Sequence, residues 1–194
     1  MMKFKLKVLL YVSVGLILTA SLSSCEKSVD SLTLIGQKHF VSGYEPLMED
    51  GKIQVVVEIP VGTLDKWEVD KETGHMKWEI RDGKPRVVQY LGYPGNYGMI
   101  PRTLLSKESG GDGDPLDVIV LGQPVERGSI VKAQLIGVLR LLDGGEQDDK
   151  LIAVLDNSPF SGIHSIEELN QEFIGVAEII QTWFVNYKGP GELE

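Results

Sequence analysis

The chain has 194 residues, 42% of them hydrophobic and 24% charged, which is enough for one domain with its own core. Its 28 acids outnumber its 19 lysines and arginines, for a formal charge of -9. That excludes a nucleic-acid scaffold, which needs a basic face, but allows phosphate chemistry where metals and a few cations gather locally.

Lys3, Lys5 and Lys7 form a basic start, and residues 8–20 are an apolar run too short for a membrane span. Leu22-Ser23-Ser24-Cys25 then has the pattern of a bacterial lipobox. Residues 1–24 are therefore expected to be a lipoprotein signal peptide, with Cys25 as the lipidated N-terminus. The alternative is a plain secretory signal with an incidental Cys25. The expected location is outside the cytoplasm, anchored by lipid to a bacterial membrane and facing the periplasm or the cell surface. Cys25 is the only cysteine, so no internal disulfide can form and stability must come from the core.

Residues 25–51 are polar with scattered Gly and Ser and read as a tether, with a short docked segment at its end as the alternative, leaving 52–194 as the domain. Ile53-Gln54-Val55-Val56-Val57-Glu58-Ile59 reads as a strand ended by Pro60. Residues 66–70 and 75–80 alternate polar and apolar around a 71–74 turn, which predicts a hairpin. Tyr93-Pro94-Gly95-Asn96-Tyr97-Gly98 predicts a rigid loop with two aromatics. Val118-Ile119-Val120-Leu121, residues 129–142 and residues 151–154 are further strands. One helix is predicted from Ser165, where Ser165-Ile166-Glu167-Glu168 matches a capping box. Its apolar stripe runs Ile166, Leu169, Phe173, Val176, Ile180, Phe184, Tyr187, and Gly189-Pro190-Gly191 stops it. The expected class is mainly β with helix (α+β): a small OB-like five-stranded barrel with a packed C-terminal helix.

Asp112-Gly113-Asp114-Pro115-Leu116-Asp117 carries the chemistry. Three carboxylates in six residues repel one another unless something cationic holds them, and hard oxygen ligands suit Mg²⁺, Mn²⁺ or Ca²⁺. Pro115 and the Gln at position 123 exclude an EF-hand loop. His39, His75 and His164 are too scattered for zinc, and no P-loop lysine follows the glycines. A solvated turn is the bland alternative. A second acidic turn, with Asp143, Asp148 and Asp149 ahead of Lys150, weakens it. Two such turns facing each other could hold paired metals, which suits phosphoryl transfer to water.

The hexapeptide resembles the signature of the soluble family I inorganic pyrophosphatases. Val57-Glu58-Ile59-Pro60 with Lys66-Trp67-Glu68, the Tyr93-Pro94-Gly95-Asn96-Tyr97-Gly98 loop, the Asp143, Asp148, Lys150 spacing and Tyr187-Lys188 are similar to that family in the same order. The resemblance implies hydrolysis of inorganic pyrophosphate to two phosphates by a metal-activated water, with several Mg²⁺ ions and Mn²⁺ as an alternative. It implies Asp112, Asp117, Asp143, Asp148 and Glu58 as metal ligands and Asp114 as general base. Lys66, Arg86, Tyr97, Lys150, Tyr187 and Lys188 would grip the phosphates, with Glu68 and Tyr93 as supports. Arg86 is chosen over the nearby Arg81 for its spacing to Tyr93. The resemblance also implies a homohexamer, although the family's further segment and last helix do not follow Tyr187-Lys188. Two alternatives stand beside it: a related phosphohydrolase of organic diphosphates or polyphosphate, and a non-catalytic metal-binding surface lipoprotein.

Overall fold

The computed structural model describes residues 27–189; the expected signal peptide and Cys25 lie outside them. Strands β1 (Lys27–Asp30) and β2 (Thr33–Ile35) form a hairpin, followed by β3 (Ile53–Ile59). β4 (Trp67–Val69) and β5 (Met76–Trp78) are the hairpin anticipated around residues 71–74. β2 pairs with β5, which gives a four-stranded sheet in the order β1-β2-β5-β4. β6 (Ile80–Arg81) and β7 (Lys84–Pro85) make a small ribbon. β8 (Asn96–Met99), β9 (Asp117–Leu121) and β10 (Ile130–Leu139) follow. A second ribbon of β11 (Leu142–Asp143) and β12 (Glu146–Gln147) leads into β13 (Lys150–Leu155). The expected five-stranded barrel is present, closed in the order β10-β13-β9-β8-β3.

The barrel forms where apolar residues run without a polar partner face. β9 and β13 are parallel neighbours, and a parallel pair is covered on both sides. Ile119 and Leu121 pack with the helices, while Val118 and Val120 pack with Ile53, Val55 and Ala133. Each such fully buried Val or Ile contributes about 1.5–3 kcal/mol relative to exposure.

Three expectations are corrected. The loop predicted at residues 93–98 is a strand from Asn96 on, since Asn96–Met99 is β8 of the barrel. The stretch read as a tether is part of the fold from Lys27 on: it supplies β1 and β2, and Phe40, 1% exposed, packs among Val56, Trp67, Met76 and Met99. Its low average hydropathy conceals a few widely spaced anchors, Leu34, Phe40, Val41 and Tyr44. The single predicted helix is two, α1 (Ile166–Glu172) and α2 (Val176–Asn186). Gly175, at φ 85°, opens α2 from a left-handed conformation that other residues resist. The Ser165 half of the capping box is as read, its hydroxyl accepting the Glu168 N–H at 3.1 Å, while the Glu168 carboxylate accepts the N–H of His164, one residue earlier than the box requires, at 2.7 Å. α2 docks through Ile180, Trp183 and Phe184, and the Trp183 indole donates to the Leu91 carbonyl at 2.9 Å. No helix among the described residues is long and apolar enough to cross a membrane.

Candidate active site

The parallel pairing of β9 and β13 brings the two acidic turns together. Lys150 lies in register with Asp117, so the loops preceding both strands emerge at the same end of the barrel. A backbone bond from the Gln147 N–H to the Gly110 carbonyl, 2.9 Å, ties one loop to the other. Lys150 is 2% exposed, and its ammonium donates to Asp117 Oδ2 at 2.6 Å and to Asp148. Burial works against that charge, but the two carboxylates outweigh it and raise the lysine's pKa. Burial also raises the pKa of Asp148, against the pull of Lys150. Asp149 turns away, accepting from the Leu141 N–H at 3.2 Å and from Gln147 at 2.6 Å.

Glu58 enters from β3. The register between β3 and β8 slips between Val57 and Ile59, which leaves Glu58 as the extra residue of a bulge. Bulges re-aim side chains, and this one sits 5% exposed with the Val69 N–H donating to it at 2.8 Å. Burial pushes its pKa up to about 8; Lys66 and the Val69 N–H oppose the shift, while Asp117 adds to it. One cavity of about 400 Å³ is lined by Glu58, Lys66, Glu68, Tyr97, Asp114 and Asp117, among others. Lys66 approaches Glu68 at 3.8 Å and stands 5.7 Å from the centre of the Tyr97 ring. Tyr93 and Tyr97 pack at 5.2 Å, and burial raises the pKa of both hydroxyls.

The basic residues gather next door. Arg86, Tyr187, Lys188 and Asp143 line a second, more open cavity of about 840 Å³. Arg86 is held by Glu79 at 2.6 Å, and Lys188 is paired with Asp143. Tyr187 stacks on Trp183 at 4.6 Å, and burial raises its pKa. Arg81, the alternative to Arg86, lines the same cavity with its side chain 60% exposed.

Asp112 is placed differently from the other acids. Its carboxylate accepts the Asp114 N–H at 2.8 Å, closing a local turn. Asp114 itself is half exposed and paired with Lys71. Lys71 has no local signal in the sequence, because its partner is 43 residues away. Asn96 and Arg127 also escaped the sequence reading as working parts. Asn96 is fully buried, accepting from the Val61 and Val125 N–H groups at 3.2 and 3.1 Å and donating to the Gln123 carbonyl at 2.9 Å. Arg127 donates to the Glu58 carbonyl at 2.9 Å and covers the Trp67 ring at 4.5 Å.

The donor chemistry fits hard divalent cations. Among the described residues no three acids or histidines lie close enough to cage an ion as they stand, each acid being turned to an ammonium or a backbone N–H. Yet Glu58 is a buried carboxylate with only one N–H donor, short of the positive charge that a carboxylate needs once it leaves water.

A family model described as inorganic pyrophosphatase matches residues 55–193. The chain belongs to the inorganic pyrophosphatase family. A soluble inorganic pyrophosphatase of Zea mays is 41% identical over 137 residues, 69% of this chain and 58% of that protein. The mitochondrial inorganic pyrophosphatase of Saccharomyces cerevisiae is 36% identical over 157 residues. The chain thus spans 58% and 51% of the length of these two longer relatives. An inorganic pyrophosphatase of Thermus thermophilus superposes with a TM-score of 0.64 at 32% identity, covering 78% of this chain and 80% of that one. The inorganic pyrophosphatase barrel is therefore the scaffold on which the acids and cations above are mounted.

Proposed function

We propose that the chain hydrolyses inorganic pyrophosphate to two phosphates with Mg²⁺. The observation that carries this reading is the convergence of the two acidic turns, through parallel β9 and β13, beside a wall of cations. Carboxylates from Asp112, Asp117, Asp143, Asp148 and Glu58 would hold the divalent ions, which supply Lewis-acid polarisation of phosphoryl oxygens and ease deprotonation of water. Asp114, at the open edge of the acid cavity, takes the proton of the attacking water. The water oxygen bonds to one phosphorus, the anhydride P–O bond breaks, and the bridging oxygen leaves with the second phosphate. Lys66, Arg86, Lys150 and Lys188, with the Tyr97 and Tyr187 hydroxyls, orient the anion and stabilise charge on the departing phosphate. Glu68 and Tyr93 position Lys66 and Tyr97.

Phosphate release from pyrophosphate by the purified chain, with and without Mg²⁺, tests the reading; no Mg²⁺-dependent release rejects it. Asp114→Asn should keep metal binding and lose about 10²–10⁴-fold in turnover. The same proposal puts the domain outside the cytoplasm on a lipid carried by Cys25. Palmitate labelling that persists in Cys25→Ala would reject the anchor. The homohexamer of the resemblance is checked by sedimentation.

A further inference from the structure

The β6–β7 ribbon borders the second cavity, and nothing in the reaction above uses it. Its turn, Asp82-Gly83, has φ of 51° and 74°, the twist that a two-residue hairpin requires. The turn makes Arg81 and Lys84 a directly opposed pair, so both side chains leave on the same face. Like charges directly opposite on neighbouring strands are unfavourable, and neither is well neutralised here. Arg81 has a side chain 60% exposed and comes only within 3.7 Å of Glu79, whose other oxygen holds Arg86. Lys84 is exposed and has no ion pair among the described residues. Both residues line the 840 Å³ cavity with Arg86, Tyr187 and Lys188. The Tyr187 ring lies 6.3 Å from Tyr93, which packs on Tyr97 of the acid cavity, so the two cavities adjoin. The cations thus divide between two cavities: Lys66 faces the acids, and Arg86, Lys188, Arg81 and Lys84 line the other. The proposed reaction uses Lys66, Lys150, Arg86 and Lys188 and leaves Arg81 and Lys84 unassigned.

We propose that Arg81 and Lys84 form an outer phosphate subsite, and that the site takes linear inorganic polyphosphate, with tripolyphosphate the shortest chain to reach it. This deepens the pyrophosphatase reading and rests on it. A nucleotide is disfavoured because, among the described residues, Tyr187 is the only aromatic side chain lining the cavity, and Trp183 already stacks on it. In the reaction, water's oxygen joins the terminal phosphorus at the acid end. The anhydride P–O bond breaks with its electron pair going to the bridging oxygen, Asp114 passes the proton to solvent, and diphosphate departs along the rim.

The test compares the full chain with an Arg81→Ala/Lys84→Ala variant. Calorimetric binding of tripolyphosphate, diphosphate and ATP is measured, and hydrolysis with Mg²⁺ is followed by phosphate and diphosphate release. Two exposed charges should be worth about 3- to 10-fold in tripolyphosphate affinity and KM. Diphosphate should change by less than about twofold, since the proposed reaction assigns neither residue to it. Equal changes for both anions, or none, overturn the subsite. So does a parent chain that binds tripolyphosphate no better than diphosphate, and ATP binding as tight as tripolyphosphate overturns the choice of an inorganic chain. Loss of all diphosphate hydrolysis with the binding difference intact would sink the proposed activity while leaving the subsite standing.

Discussion

Lys150→Met is the most direct test of how the acids are held together. The side chain is almost wholly buried, with its ammonium between Asp117, at 2.6 Å, and Asp148. Methionine keeps the apolar stem, so the packing loss is small and the loss of charge dominates. Breaking a buried pair by removing one partner costs about 3–5 kcal/mol, because the remaining charge is left uncompensated. The lower end applies here, since the Asp117 side chain is 27% exposed and can recruit water. At about 3 kcal/mol, and a urea slope of about 2 kcal/mol per molar, the midpoint should fall by about 1.5 M. The assay is equilibrium urea unfolding at pH 7.5 in EDTA. Without the ammonium, the Asp148 carboxyl, already raised by burial, loses the charge that opposes that shift. Native-state proton uptake then makes the variant recover stability as the pH is lowered towards 5. Mg²⁺ should restore more stability to the variant than it adds to the parent, because it supplies the missing charge. A variant as stable as the parent in EDTA would refute the reasoning, since the ammonium would then not be offsetting the two acids.

Asn96→Ala should lower stability by about 1–3 kcal/mol in thermal unfolding, because it leaves two part-buried N–H groups and a carbonyl without their side-chain partner. A loss no larger than that of an exposed Asn→Ala control would show that water replaces the side chain. For Glu58 the folded pKa, about 8, lies above the ordinary 4.5, so the native metal-free protein binds the extra proton between those values. Its stability should therefore fall as pH rises from 4.5 to 8 and level off above, and Glu58→Gln should flatten that slope. Parallel melting-temperature profiles for the two proteins in EDTA would contradict the assignment.

The parts of the fold legible in the sequence are those whose signal is local. Val118-Ile119-Val120-Leu121 announces a strand covered on both faces, and Ser165 with Glu168 announces a helix start. The helix break stayed hidden because it consumes three residues, nearly one turn, so Phe173 and Val176 remain in step on the apolar stripe. The docked first strands were missed because their anchors are sparse among polar residues. The candidate acids could be named from one motif, but Lys71 opposite Asp114 and the Asn96 clamp depend on contacts across tens of residues, which no window along the chain displays. The β6–β7 ribbon is not among the elements read along the chain. Its Asp82-Gly83 turn is a hairpin signal, but its strands of two residues are too short to show alternation.

Gathering carboxylates at one end of an acidic barrel raises a folding problem before it serves any reaction. The chain answers it with its own ammonium groups: Lys71 meets Asp114, Lys150 joins Asp117 and Asp148, and Lys188 meets Asp143. Those pairs let the acids converge without mutual repulsion. Lys150 and Lys188 are also cations that the proposed reaction assigns to phosphate. If divalent ions take over the carboxylates, these lysines lose their internal partners and can turn their charge to the incoming anion. Metal should then tighten binding of the phosphate product through the lysines as well as through direct contact. In Lys188→Met, the Mg²⁺-dependent gain in phosphate affinity should be smaller than in the parent chain. An undiminished gain would mean that Lys188 serves only to pair with Asp143.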